Sequence, residues 1–270
     1  MSLHTTDLGE RGSRVVFCHG LFGQGRNWTQ IGKQLAGEHR VTLVDMPHHG
    51  RSSWPEEFDY VDVADRVARL LDGDDPVTLV GHSMGGKAAM TLALRHPHLV
   101  ARLCVVDVSP VDYGGRAGEF RGYIDAMKGM DLPAITTRAE ADEALADAVP
   151  NAAVRAFLLQ NLRRDGDGWR WQANLDVLGR DLPVLGGWPA EQLAGSTPYE
   201  GPVLWVAGET SAYVTDEYAD VMQGYFPRVR RATIKGAGHW VHSEQPETFL
   251  EVLRRFIRAE ARTGLPGQRR

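Results

Sequence analysis

Ser83 sits in the run "LVGHSMGGKAAM", with Gly81 two residues before it and Gly85 two residues after it. An apolar stretch leads into this run and a helical pattern leads out of it. A strand that turns sharply into a helix holds its central residue in a strained conformation. It also demands small neighbours, because side chains there would collide across the turn. A serine so placed stands at a helix N-terminus, where the dipole favours a developing negative charge. The chemistry that suits it is nucleophilic attack on a carbonyl. The plain alternative is a Gly-rich strand–helix turn with an idle serine, and the strand before it and helix after it weigh against that.

A serine nucleophile needs a base, and "KGAGHWVH" supplies His239. It falls just after an apolar strand and before the last helical pattern, at the kind of strand end where ligand chemistry gathers. His239 is therefore the expected general base, and His242, three residues on, is its rival. Pairing His239 with His242, or His48 with His49, around a metal lacks a matching carboxylate or cysteine pattern. The first strand ends in "FCHGLFG". The backbone N–H groups of Leu21, in this loop, and Met84, after the nucleophile, are the expected oxyanion-hole pair. His19 reads as a structural turn residue.

Several carboxylates compete to orient His239. Asp107, Asp112, Glu209 and Asp216 all fall between Ser83 and His239, so the chain order Ser, acid, His does not choose among them. If the chain is a Ser-His-acid hydrolase, the loop in "VLWVAGETSAYVTDE", residues 203–217, is where such enzymes usually present the acid, about three residues past the glycine, and Ser211 is there instead. Glu209 follows Gly208 with little loop to swing it round. Asp216 opens a helical pattern, where an acid is explained as a cap, and Asp112 lies further along. Asp107 ends the strand "RLCVVD", one strand after the nucleophile, and is the preferred acid. Asp45 ends an earlier strand before Ser83 and reads as a turn organiser. Lys87, one turn into the helix after Ser83, reads as a packed or solvated helix residue.

The elements that must hold these groups alternate along the chain. Strand candidates are 14–19, 40–45, 76–81, 102–107, 202–207 and 230–235, each a nearly continuous apolar run as expected for strands covered on both faces. Between them lie helical stripes such as Tyr60, Ala64, Val67 and Leu71, and a last helix with Pro246 in its first turn. This pattern implies a parallel sheet with helices on both faces. From 111 to 200 the alternation breaks into helical pieces, with Thr137–Glu140 spaced as a capping box and Asn151 as a cap. The expected organisation is thus a core of 1–110 and 201–270 with a helical cap at 111–200. The tail "TGLPGQRR" reads as loose.

Taken together, "HGLFG", "VDMPHHGRS", the Ser83 turn and "GAGHWVH", in this order, resemble the α/β-hydrolase superfamily. The likeness covers about 14–110 and 201–260 and is weakest in the cap. "GHSMGGK", "VVDVSPVDY" and "GAGHWVH" are similar to a narrower branch of small bacterial and mitochondrial acyl esterases. That resemblance implies a mostly parallel doubly wound sheet, a cap over the pocket, no cofactor, an acid at the position of Asp107, and action on acyl esters or, in some members, acyl-CoA thioesters.

The expectation is a serine hydrolase cleaving acyl esters or thioesters through an acyl-enzyme. Lactone, amide, carbon–carbon and perhydrolase chemistry stay open, as does a non-catalytic ligand-binding protein on the same scaffold. A serine argues against the dehalogenases and epoxide hydrolases, whose related enzymes use aspartate there. Phe120, Tyr123, Phe157, Trp169, Trp171 and Trp188 divide between pocket lining and cap core. With 270 residues, 43% hydrophobic and 24% charged, the chain has material for a large core. A net charge of -5 does not point to nucleic acid. Cys18 and Cys104 lie in apolar runs and read as buried thiols. The N-terminus has no signal-peptide pattern, and no run approaches a membrane span, so a cytoplasmic monomer or dimer is expected.

Overall fold

The computed structural model describes residues 2–114 and 118–259. Its strands are β1 (Thr5–Leu8), β2 (Arg14–Cys18), β3 (Arg40–Val44), β4 (Val77–His82), β5 (Val100–Val106), β6 (Leu162–Asp165), β7 (Gly168–Trp171), β8 (Val203–Gly208) and β9 (Val229–Ile234). Its helices are α1 (Thr29–Leu35), α2 (Tyr60–Ala68), α3 (Met84–Arg95), α4 (Gly118–Gly129), α5 (Arg138–Leu145) and α6 (Ala152–Leu159). They continue as α7 (Leu175–Arg180), α8 (Leu182–Gly186), α9 (Ala219–Tyr225), α10 (Val241–Glu244) and α11 (Pro246–Arg258).

Among the described residues, seven strands form one sheet in the order β1-β3-β2-β4-β5-β8-β9. All neighbours are parallel except β1, which pairs antiparallel with β3. The apolar runs have both faces covered. Val15 and Phe17 enter a layer with Trp28, Ile31, Phe249 and Leu253, while Val16 and Cys18 enter the opposite layer with Val63, Val67, Ala88 and Leu92. Successive side chains alternate across a strand, so helices on both sides require apolar residues at every position. The mostly parallel doubly wound sheet matches the expectation. Because β2, β4, β5, β8 and β9 run the same way, their carboxyl ends meet at one edge, and the loops carrying Leu21, Ser83, Asp107, Ser211 and His239 gather there.

Between β5 and β8 lie α4 to α8 and, where only helices were expected, a hairpin of β6 and β7. Its register pairs Leu162 with Trp171 and Arg163 with Arg170. Leu162, Trp169 and Trp171 pack on Ala141, Leu145 and Leu159, while the alternate positions are charged. Such a half-covered strand lacks a continuous apolar run. Thr137 and Glu140 form the capping box of α5, and the Asn151 side chain accepts from the N–H groups of Ala153 and Val154 to cap α6. Cys18 and Cys104 are buried and unpaired. Among the described residues no helix is long and apolar enough to cross a membrane. The tail segment 263–270 lies outside the described residues.

Candidate active site

Ser83 follows β4 directly and opens α3 with φ 52° and ψ -119°. A non-glycine residue in that region is strained and persists only where its surroundings hold it. Its N–H donates to the Val106 carbonyl at 3.0 Å. A Cβ on Gly81 would lie 2.3 Å from the Gly85 carbonyl oxygen, and one on Gly85 would lie 2.5 Å from those of Cys18 and His19. The turn therefore closes only with glycine at both places, as the sequence pattern required.

The neighbouring loop is held by two buried histidines. His19 Nε2 accepts the Met46 N–H at 2.9 Å, and His49 Nε2 accepts the Phe22 N–H at 3.1 Å. Each Nδ1 lies 2.8 Å from a carbonyl, that of Gly20 for His19 and that of Pro47 for His49. This pattern places the proton of both rings on Nδ1. Burial pushes His19 down to about 4 and His49 down to about 3, so both rings are neutral at pH 7. His19 is the structural residue expected. His49 shares that work, and its place in an adjacent histidine pair did not reveal it.

Asp107 is fully buried one residue past β5, with φ 52°. Its Oδ1 accepts the Gly208 N–H at 2.9 Å. Its Oδ2 accepts both the Ser211 hydroxyl and Nδ1–H of His239, the latter at 2.8 Å. Ser211, which stands where an acid was looked for, thus donates to the Asp107 carboxylate. The rival carboxylates are engaged elsewhere. Glu209 accepts from the Gly236 N–H, Asp112 from that of Gly114, and Asp216 pairs with Arg231 at 2.5 Å. Asp216 is the first residue of a 3-10 turn whose N-cap is Thr215, so the cap reading for it is corrected to an ion pair. Asp45 binds the N–H groups of Gly25 and Arg51, as a turn organiser does.

Two further side chains, Tyr213 and His82, hold His239. The Tyr213 ring lies over it at 4.3 Å between centroids, the His82 ring lies at 4.8 Å, and His82 Nε2 donates to its carbonyl at 2.9 Å. His242 instead stacks on Trp28 at 4.0 Å, where burial pushes it down to about 3. Ser83 and His239 line the same cavity, with no hydrogen bond between them among the described residues.

Two cavities meet at Ser83. One, about 500 Å³, is walled by Leu21, Met84, Val108, Leu182 and Leu185. The other, about 320 Å³, holds His239 with Phe22, Val154, Phe157 and Trp240. Leu21, Ser83 and Phe120 belong to both. Lys87 closes the first cavity. It is 1% exposed, and its Nζ donates to the carbonyls of Val111, Gly186 and Gly187 at 2.9, 2.7 and 2.5 Å. Burial pushes it down to about 7, against the opposing pull of Asp112. A residue read as packed or solvated is packed, and it ties α3 to the end of α8. Of the aromatics considered, Phe120, Tyr123 and Phe157 line these cavities, while Trp169 and Trp171 pack inside the insertion.

Residues 13–246 match the family model described as alpha/beta hydrolase fold. The chain belongs to this family. It is 37% identical over 252 residues to the mouse protein named sn-1-specific diacylglycerol lipase ABHD11, covering 90% of this chain and 80% of that one. It is 34% identical to Esterase YbfF of Escherichia coli K12, covering 91% and 93%. The solved structure titled marine microorganism esterase superposes with a TM-score of 0.90 at 32% identity, covering 94% of this chain and 99% of that one. These relatives bear the names of ester-cleaving enzymes.

Proposed function

We propose that this α/β-hydrolase is a serine hydrolase of carboxylic esters, extending to acyl thioesters, with Ser83 as nucleophile, His239 as base and Asp107 as the orienting acid. The observation that carries the reading is the buried Asp107 carboxylate on Nδ1 of a histidine that shares a cavity with the strained serine. The names of the relatives support the substrate class.

His239 takes the Ser83 proton through Nε2 as Oγ attacks the carbonyl carbon. The N–H groups of Leu21 and Met84 receive the oxyanion. Asp107 keeps the His239 proton on Nδ1 and stabilises the imidazolium. The tetrahedral intermediate then expels the alcohol or thiol, which must collect its proton from His239. That requirement assigns the cavities. The leaving group occupies the limb that His239 lines, and the acyl chain occupies the limb between Met84 and Leu185. Water entering the leaving-group limb, activated by His239, frees the acid and restores Ser83.

Residues 111–200 act as the cap over a core of 1–110 and 201–270, supplying Phe120, Val154, Leu182 and Leu185 to the two limbs. The free buried thiols agree with a reducing, cytoplasmic setting. A fluorophosphonate probe tests the central reading. Labelling of Ser83 in the folded protein is expected, with none in Ser83→Ala. A folded, unlabelled wild type would instead favour a ligand-binding protein. Rates on p-nitrophenyl esters and acyl-CoA thioesters of graded length then separate the two leaving groups.

A further inference from the structure

Among the described residues, Arg26, Arg51, Arg163, Arg164 and Arg170 line one cleft. This concentration of positive charge occurs in a chain of net charge -5. Arg26 and Arg51 come from loops of the sheet's edge, while the other three come from the β6–β7 hairpin. One carboxylate, Asp45, also lines the cleft, and both its oxygens already accept backbone N–H groups. Among the described residues the cleft arginines have a single ion pair, Arg170 with Asp165 at 3.7 Å. Arg26 and Arg164 donate to carbonyls, and Arg163 donates to the Gln172 side chain at 3.0 Å. The Arg51 side chain has no partner among the described residues.

Beside this cleft lies a second depression that shares Arg51, Arg170 and Gln172 with it and adds Trp54. Trp54 is 45% exposed, rare among large apolar side chains in the described part of this chain. Neither depression shares a lining residue with the two cavities at Ser83.

Like charges gathered in a concavity focus a positive potential and draw in an anion. Guanidinium groups match phosphate oxygens through paired N–H donors. An exposed indole next to them offers a face on which a planar ring can stack. Five guanidinium groups gathered round one cleft suit a compact polyphosphate. We propose that this cleft is a binding site for a nucleoside diphosphate group, with the phosphates between Arg51, Arg163 and Arg170 and the base on Trp54. The ligand would join the sheet edge to the hairpin.

The site also has a physical link to the loop carrying Leu21. Gln24 lines the cleft, and its Nε2 donates to Asn161 Oδ1 at 2.8 Å. Asn161 Nδ2 in turn donates to the Phe22 carbonyl at 2.7 Å, and Phe22 walls the His239 cavity. The same chemistry has two sources, a free nucleotide or the nucleotide end of a thioester substrate.

Calorimetric titration of ADP, pyrophosphate and adenosine into the Ser83→Ala protein tests the site independently of catalysis. ADP and pyrophosphate are expected to bind, and raising the salt should weaken both. The Arg51→Gln/Arg170→Gln pair should weaken both at least tenfold. Trp54→Ala should weaken ADP at least threefold and leave pyrophosphate within twofold. Absence of ADP binding at millimolar concentration, or binding unchanged in the double arginine variant, overturns the site. Equal loss of ADP and pyrophosphate in Trp54→Ala overturns the placing of the base. In the active protein, ADP competition against butyryl-CoA but not p-nitrophenyl butyrate assigns the substrate's nucleotide end. A changed rate on p-nitrophenyl butyrate assigns a free nucleotide.

Discussion

Replacing Asp107 with Asn tests the acid with little disturbance of the fold. Asp107 has φ 52°, and Asn tolerates that region better than other side chains. Its Oδ1 can keep the Gly208 N–H. The amide nitrogen then occupies the place of Oδ2, which now accepts from Ser211 and His239. A donor facing Nδ1 leaves the imidazole proton on Nε2, toward Ser83, where the ring can no longer take the serine proton. The lost charge adds to this. Charge centres roughly 4 Å apart interact by about 4 kcal/mol at an effective dielectric near 20, about a thousandfold in rate. With the tautomer effect, a loss of about 10³- to 10⁴-fold in kcat is expected. Steady-state rates on p-nitrophenyl butyrate, with a melting curve to show folding, provide the measurement. Asp216→Asn should stay within about twofold, since its carboxylate pairs with Arg231 and not with His239. A folded Asp107→Asn enzyme keeping more than about a tenth of the wild-type kcat would refute the reasoning, as would an equal loss in Asp216→Asn.

Leu185→Trp should fill the acyl limb and lower kcat/KM at least about tenfold for octanoyl over acetyl p-nitrophenyl esters; Val154→Trp should instead discriminate by alcohol size, and exchange of these two profiles would reverse the limb assignment. His49 is depressed to about 3 in the folded chain from 6.5, so its contribution to stability is full above 6.5 and is lost as pH falls toward 3. His49→Gln, whose amide oxygen can still accept the Phe22 N–H, should therefore show a shallower fall of unfolding free energy between pH 6 and 4 in urea titrations, by up to about 1.4 kcal/mol per pH unit, and an unchanged slope would contradict this. Lys87 is lowered from 10.5 to about 7, so the stability it adds is full above 10.5 and is lost as pH falls to about 7; urea titrations of wild type and Lys87→Met should differ in slope across that window, and parallel curves would mean that the folded chain keeps the Lys87 proton, contrary to the lowered pKa.

Most of the sheet was legible because its inner strands are covered on both faces. "RVVFC" and "VLWVAG" carry apolar residues at almost every position for that reason. β1 was not, since "TTDL" is an edge strand with two exposed positions whose structure depends on pairing with β3. The hairpin escaped in the same way, its arginines alternating with the residues it buries. Ser83 could be placed from local spacing because the collisions that demand Gly81 and Gly85 lie within one strand–turn–helix unit and the adjoining strand end. Lys87 could not, because its acceptors Gly186 and Gly187 are 99 and 100 residues away.

The shift of the acid from the end of β8 to the end of β5 follows from what those two strand ends share. They are neighbours in register, Val106 beside Val206, and the Asp107 N–H continues the ladder to the Val206 carbonyl at 2.8 Å. The Asp107 carboxylate and the Ser211 hydroxyl meet at one point beside His239, so an acid rooted on either strand can serve the same imidazole. An acid from β8 would need only a loop. An acid from β5 needs the chain to turn as soon as the strand ends, and the positive φ of Asp107 makes that turn. Ser83, at the end of the adjacent β4, uses the same positive φ. The strain at Asp107 is held by the Gly208 N–H and by Ser211, both contributed by the β8 end that gave up the acid. Gly208 must stay bare there, since a Cβ would lie 2.0 Å from the Gly238 carbonyl oxygen in the loop carrying His239. In the proposed triad the vacated position is therefore part of the site: the Ser211 hydroxyl, with the Gly208 N–H before it, orients the carboxylate assigned to His239.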